Sequence, residues 1–149
     1  MRILGVDVGG KRIGLALSDA SGVLASPWRG ISAGSKARES AERVAKLLSS
    51  ESVDDEPIRE VGEIVVGFPR RLSGEETDQS ALARTFAAEL AALTGLPVHL
   101  QDERLTSREA ESRLAIRERD WRVRKKKIDA AAAAIILQDY LDARAIRGD

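Results

Sequence analysis

Three short apolar stretches joined by tight turns open the chain, and this arrangement constrains the fold more than any other feature. The first covers residues 3–8 and ends at the turn pair Gly9-Gly10. Apolar residues at 13, 15 and 17 then alternate with small ones, as expected for a strand that runs back along the first. A turn over 19–22 leads to a third candidate strand, Val23–Trp28. The pattern predicts a three-stranded antiparallel meander.

After the meander, helical and extended patterns alternate along the chain. We expect polar loops over 49–60 and 70–77, and we place the basic stretch 117–127 between elements. The predicted elements are a helix over 36–48, a strand over 64–66 ended by 67–69, a helix over 79–94 stopped by Gly95, a strand over 97–100, a helix capped by Thr106 or Ser107, and a last helix over about 127–145. The order βββαβαβα plus a C-terminal helix predicts one α/β domain over 1–149, with a mixed five-stranded sheet and helices on both faces.

Residue content excludes several classes of protein. The chain has no cysteine, which rules out a disulfide scaffold, a Cys-ligated metal site and a cysteine nucleophile. Its one histidine, His99, lies within a predicted strand and favours a structural role. No apolar run is long enough to span a bilayer, and the N-terminus does not resemble a signal peptide. We expect a soluble cytoplasmic protein with no membrane partner.

The charge is balanced overall but unevenly distributed. The 24 basic residues match the 24 acidic ones, whereas residues 117–127 hold seven basic and two acidic residues and residues 51–63 hold six acidic residues and one arginine. A basic stretch is usually a solvated face, and the acidic segment is interpreted as a solvated loop. The basic stretch, however, contains an aromatic residue and leads to a carboxylate, which favours a polyanionic partner. The candidate nucleic-acid contacts are Trp121, Arg122, Arg124, Lys125, Lys126 and Lys127, with Lys11, Arg12 and Arg70 from two loops.

Carboxylates at three positions stand out. Asp7 lies inside an apolar strand, where a carboxylate is costly to bury without a partner. Glu103 and its neighbour Asp102 follow the fifth strand, and Asp129 lies in the first turn predicted for the last helix. Clustered carboxylates without His or Cys favour Mg²⁺ or Mn²⁺. Each also has a structural interpretation: Asp7 as a turn residue, Glu103 as a surface ion pair, and Asp129 as a carboxylate favoured by the helix dipole.

Four ordered motifs make the chain resemble a known family. They are the segment from Asp7 to Asp19, Val-Val-Gly-Phe-Pro at 65–69, Asp-Glu-Arg-Leu-Thr-Ser at 102–107, and Asp-Ala-Ala-Ala-Ala from 129 followed by Ile-Leu-Gln-Asp-Tyr-Leu at 136–141. Together they resemble the YqgF family of Holliday-junction-resolvase-like proteins, also described as pre-16S ribosomal RNA nucleases. Phe68 stands where leucine is common in that family.

The resemblance implies an RNase H-like fold, in agreement with the predicted order of elements. It implies that Asp7, Glu103 and Asp129 are metal-binding catalytic acids, and so it selects Glu103 over Asp102. It also places Arg12 and two further residues near the site, Arg104 and Thr106.

The resemblance further implies a Mg²⁺- or Mn²⁺-dependent endonuclease that matures the 5′ end of pre-16S ribosomal RNA. If the same site acts on branched DNA, the protein is a Holliday-junction resolvase, and the sequence does not distinguish between the two substrates. The sequence also does not distinguish a monomer from a homodimer. A non-catalytic nucleic-acid-binding module is a third interpretation. A sugar-kinase-like phosphotransferase shares the Asp-glycine hairpin but needs two such domains.

Overall fold

The protein is described by a computed structural model that covers residues 1–49, 61–103 and 121–148, with only the backbone of 121–128. The elements are β1 (Arg2–Val8), β2 (Arg12–Ser18), β3 (Ala25–Ser32), α1 (Ala37–Ser49), β4 (Val61–Pro69), α2 (Asp78–Thr94), β5 (Val98–Glu103) and α3 (Trp121–Arg147). The loop predicted over 49–60 and the helix predicted after Thr106 lie almost entirely outside the described residues.

The five strands form one mixed sheet in the order β3-β2-β1-β4-β5. β1 pairs antiparallel with β2, and β2 with β3, which confirms the predicted meander. β4 lies parallel to β1, and β5 lies parallel to β4. The carboxyl ends of β1, β4 and β5 therefore lie at one edge of the sheet.

Helices cover both faces of the sheet, as predicted. Side chains from α1 and α2, such as Val44 and Phe86, pack against alternate residues of β1, β2 and β4. Within the described residues, the opposite face packs against α3. Its cluster of buried residues comprises Ile3, Ala16, Val65, Ala133, Ile136, Leu137 and Leu141.

Glycines let α3 approach the sheet closely. A Cβ on Gly5 would lie 2.7 Å from the Cβ of Leu137, and one on Gly67 would lie 2.5 Å from the Cδ1 of Ile136. A glycine inside a strand often marks such a close approach. The alanines of the helix, at 130–134, are small enough to match it.

Several predicted boundaries were wrong. β3 covers Ala25–Ser32 rather than Val23–Trp28, and β4 continues through residues 67–69, which were predicted to end it. Strand pairing with β2 and β5 overrides the local turn signals of Gly30, Gly67 and Pro69. β5 likewise extends to Glu103, so this residue ends the strand rather than follows it.

The last helix also begins earlier than predicted. It starts at Trp121, so residues 121–127 of the basic stretch belong to α3 and do not lie between elements. Lys and Arg are good helix formers, and no Gly or Pro interrupts 121–147. Asp129 is consequently an interior residue of the helix, which removes its interpretation as a first-turn carboxylate.

Candidate active site

A row of three paired residues across the meander forms the floor of the site. Asp7 of β1 pairs with Gly14 of β2, and Gly14 pairs with Gly30 of β3. Asp7 points toward α3, because its neighbours Val6 and Val8 belong to the core on the other face. Beside it, the two glycines leave the surface of the sheet without side chains.

Asp129 of α3 occupies the space above these glycines. A Cβ on Gly14 would lie 1.9 Å from the backbone oxygen of Asp129, and one on Gly30 would lie 3.7 Å from its Oδ2. The backbone of α3 thus contacts β2 at Asp129, just after the first two turns of the helix. This packing brings Asp129 next to Asp7.

The charge of Asp129 acts on the carboxyl group of Asp7. Burial, and then the negative charge of Asp129, raise the pKa of Asp7 from 3.8 to about 6. A carboxylate pair of this kind is costly to ionise fully at neutral pH unless a cation lies close by. Asp7 and Asp129, 122 residues apart in the sequence, therefore form an electrostatic unit.

Arg12 supplies a cation to this unit. Its Nε lies 2.5 Å from Oδ2 of Asp129. Both side chains are partly shielded from water, at 30% and 24% exposed. Lys11, the other basic residue predicted in this turn, is exposed.

Glu103 lies on the same face of the sheet as Asp7. The side chain two residues before it on that face belongs to Gln101, which pairs with Gly67 under α3. Asp102 points the other way, with Oδ1 3.6 Å from Nε of Arg70. Because side chains alternate along β5, Glu103 and Asp102 lie on opposite faces of the sheet. Residue spacing alone did not show which of them faces the same side as Asp7.

The structure brings together part of the predicted metal-ligand set. Within residues 1–49, 61–103 and 129–148, no three His, Cys, Asp or Glu side chains form a group that could hold a metal ion. Asp129 lies near enough to Asp7 for its charge to raise the pKa of Asp7, and Glu103 shares the face of Asp7 at the edge of the sheet. Arg104 and Thr106 lie outside the described residues, and only the backbone is described for the predicted contacts Trp121, Arg122, Arg124, Lys125, Lys126 and Lys127.

The sequence analysis did not identify Gly14 and Gly30 as part of the site. Gly14 falls on a small position of the predicted second strand, where a glycine can mark a close approach, and that was the available signal. Gly30 follows the predicted third strand and gave no such signal. His99 contacts Glu63 rather than the candidate site residues: its Nε2 lies 2.9 Å from Oε2 of Glu63, and its ring stacks on Tyr140. None of the described helices is long and apolar enough to cross a membrane.

Comparisons with known proteins agree on a family. The family model described as "RuvX: Holliday junction resolvase" matches residues 1–143. A protein of Anaeromyxobacter dehalogenans named "Putative pre-16S rRNA nuclease" is 44% identical over 145 residues, covering 97% of this chain and 99% of its own. A protein of Pelotomaculum thermopropionicum with the same name is 40% identical over 144 residues, covering 97% of this chain and 88% of its own.

A solved structure matches the fold. The chain resembles T. thermophilus RuvC in complex with a Holliday junction substrate, with a TM-score of 0.52 and 19% identity, over 97% of this chain and 96% of that one. At this identity the likeness concerns the fold alone, and it confirms the predicted RNase H-like architecture.

Proposed function

Because the chain belongs to the RuvX family of Holliday junction resolvases, we propose that it is a nuclease that hydrolyses phosphodiester bonds. The observation that carries the proposal is the pairing of Asp7 with Asp129, at the edge of the sheet where Glu103 also ends its strand. Relatives about 40% identical over almost the whole chain are named as pre-16S rRNA nucleases. We therefore propose precursor ribosomal RNA as the substrate and the cytoplasm as the location.

The donor chemistry of the site fits a hard divalent cation. Asp7 and Asp129 offer carboxylate oxygens, which Mg²⁺ and Mn²⁺ prefer over softer ligands. Burial and the charge of Asp129 raise the pKa of Asp7, so a cation bound beside Asp7 would favour its ionised form. We propose that Asp7, Asp129 and Glu103 hold the metal, which when bound activates water and stabilises the departing oxygen of the cleaved bond.

The residues of the chain position the reacting groups. Asp7 is fixed by strand pairing to Gly14, and Asp129 is fixed by the packing of α3 on the same glycine. Arg12 holds one oxygen of Asp129 and so limits its rotation. Its guanidinium also provides a positive charge to the substrate phosphate at the floor of the site.

One cleavage assay tests the proposal. The protein and its Asp7→Asn variant are incubated with precursor ribosomal RNA and with a four-way DNA junction, in Mg²⁺, in Mn²⁺ and in EDTA. We expect metal-dependent cutting of the RNA that the variant loses. Full metal-dependent cutting by Asp7→Asn would refute the assigned site, and no cutting by the wild type would favour a binding module.

Resolution of branched DNA by the same site is the second candidate function. The description of the matching family favours it. Paired symmetric cuts in the junction, without cutting of the RNA, would establish it in place of RNA processing. A homodimer in solution would agree with it, since two sites are needed for two cuts.

Glu103 and Asp102 provide a matched pair of variants. Glu103→Gln removes a carboxylate from the face of Asp7, whereas Asp102→Asn removes one from the opposite face. We expect the first variant to lose Mn²⁺ affinity in a calorimetric titration and to lose cleavage. The second should retain both, and an equal loss in the two variants would contradict the role of Glu103.

A further inference from the structure

The ring of Phe68 contacts guanidinium groups from two separate elements. The Cζ of Arg70, just after β4, lies 5.0 Å from the ring centroid, and the Cζ of Arg84, on α2, lies 4.8 Å from it. Both distances are within the range of cation–π attraction. The ring itself is only 3% exposed and is held by the core. One buried aromatic residue therefore contacts two cations.

Each of the two arginines also contacts a carboxylate, and each keeps N–H donors available for a ligand. Nη2 of Arg84 lies 2.5 Å from Oε1 of Glu76, and Nε of Arg70 lies 3.6 Å from Oδ1 of Asp102. A guanidinium has five N–H donors, so these contacts use part of each group. The side chains of Arg84 and Arg70 are 59% and 36% exposed, and a ligand in solution can reach both.

The arginine pair lies at the same edge of the sheet as the candidate active site. The backbone N–H of Arg70 donates to the backbone oxygen of Glu103 at 3.2 Å. Phe68, however, points toward α1 and α2, as its place in the core on that side shows. The two arginines thus lie across the sheet from Asp7 and Asp129.

We propose that Phe68, Arg70 and Arg84 form an arginine clamp for a backbone phosphate of the nucleic-acid strand that flanks the cleaved bond. The proposal rests on the proposed nuclease function. Planar guanidinium groups bind phosphate in a bidentate manner, and stacking on a fixed ring orients them before the ligand arrives. Because the clamp lies across the sheet from Asp7, it acts on strand binding rather than on the chemical step.

Binding without cleavage tests the clamp directly. A fluorescein-labelled precursor ribosomal RNA and a labelled four-way DNA junction are titrated in EDTA at several salt concentrations, with anisotropy as the readout. We expect Arg84→Gln to lower the slope of log affinity against log salt by about 0.9, the loss of one phosphate contact. A fourfold rise in salt concentration should then reduce the ratio of wild-type affinity to variant affinity by about threefold.

Arg38→Gln is the matched control, because Arg38 is an exposed arginine of α1 that pairs with Glu42 and Glu89. It should bind like the wild type. In cleavage, Arg84→Gln should raise KM and leave kcat unchanged. An effect of Arg84→Gln on kcat alone would contradict the clamp.

Two variants separate a clamp from a merely structural role. Glu76→Gln removes the carboxylate that competes for Arg84, so it should strengthen nucleic-acid binding, whereas a loss of structure would weaken it. Phe68→Leu should weaken binding about as much as Arg84→Gln, and the double variant should be little worse than either. Thermal unfolding shows which variants are folded. If Phe68→Leu does not fold, the binding affinity of Arg84→Gln decides whether the clamp binds nucleic acid.

The outcomes distinguish the clamp from the nuclease proposal. If the wild type binds and cuts nucleic acid while Arg84→Gln and Arg38→Gln bind equally well, the clamp is wrong and the nuclease proposal stands. If the loss in Arg84→Gln is seen with the junction rather than the RNA, the clamp holds a DNA strand. A wild type that neither binds nor cuts either substrate refutes both proposals.

Discussion

The Cα of Gly14 lies directly against the backbone oxygen of Asp129, so close that an added Cβ would be 1.9 Å from that oxygen. Cβ atoms essentially never come closer than 3.0 Å to a heavy atom to which they are not bonded or adjacent in the chain. The position of Asp129 over the sheet is therefore set by the absence of a side chain on β2. The helix cannot keep this position if residue 14 has one.

Gly14→Ala should consequently reduce both stability and activity. The helix must move away from β2, and overpacking of this kind costs about 1–3 kcal/mol. A displacement of about 1 Å at a catalytic group can lower the rate about a hundredfold. Chemical unfolding and the cleavage assay measure the two effects. Gly10→Ala is the control, because a Cβ there meets nothing within 4 Å, and an equal effect of both variants would contradict the packing argument.

Stability without divalent metal should fall as the pH rises from about 4 to about 6. The pKa of Asp7 is about 6 in the folded protein and near 3.8 in the unfolded chain, so the folded state binds more protons in this window. At roughly 1.4 kcal/mol per pKa unit, the full loss by pH 7 is about 3 kcal/mol as an upper estimate. Urea unfolding at each pH in EDTA measures it.

Asp7→Asn isolates this effect, because the variant has no carboxyl group to titrate at position 7. The stability of the variant relative to that of the wild type should therefore increase as the pH rises through the same window. Added Mn²⁺ should stabilise the wild type at pH 7 and the variant much less. A constant difference across the window would show that the pKa of Asp7 is not raised.

Arg12→Gln should bind Mn²⁺ more tightly than the wild type and nucleic acid more weakly. The guanidinium lies 2.5 Å from Oδ2 of Asp129 and repels an incoming cation. Removing one positive charge beside these carboxylates should raise the affinity for a divalent cation about tenfold. Calorimetry with Mn²⁺ alone measures this. Arg29→Gln, which makes the same charge change on the other face of β3, should have no effect, and weaker Mn²⁺ binding by Arg12→Gln would mean that Arg12 chiefly positions Asp129.

Glu63→Gln should lower stability without affecting cleavage. The carboxylate accepts hydrogen bonds from Arg144 at 2.6 Å and from Tyr140 at 3.2 Å, at the end of the sheet opposite Asp7. Burial raises the pKa of Glu63, but the hydrogen bond and charge of Arg144 together with Tyr140 and His99 hold it below its ordinary value. Loss of such charge-assisted bonds costs about 1–3 kcal/mol.

The pH dependence of the Glu63 contribution has the opposite sign to that of Asp7. Its stabilisation is present above the unfolded pKa of 4.5 and is lost as the pH falls through the lowered pKa. Glu89→Gln, which breaks a surface pair with Arg38, should cost less than about 1 kcal/mol. Impaired cleavage by folded Glu63→Gln would contradict a purely structural role.

The order of the described elements and the antiparallel pairing of the meander were predictable because they depend on local patterns. Apolar alternation around Leu15 and the stop signal of Gly95 each act within a few residues, and both predictions were confirmed. The limits of β3 and β4 were not predictable, since pairing with a neighbouring strand decides whether a residue such as Gly67 or Pro69 remains extended. The start of α3 was placed too late because charge was taken as a sign of a loop.

The candidate site was predictable as a set of residues but not as an arrangement. The sequence identified Asp7, Asp129 and the pair Asp102 and Glu103, yet only the alternation of β5 shows which member of that pair shares a face with Asp7. The contact between Gly14 and Asp129 joins residues 115 positions apart. No local pattern contains such a distance, and a glycine gives no direct sign of what lies over it.

The close packing of α3 makes the number of alanines at 130–134 significant, and not only their type. On one side of this run Asp129 rests on Gly14, and on the other Ile136 and Leu137 rest on Gly67 and Gly5. Removing one alanine would turn one contact by about 100° and shift it by about 1.5 Å relative to the other. Composition and helix propensity would hardly change. The run thus serves as a spacer of fixed length, and its residues tolerate replacement by other small ones more readily than a change in their count.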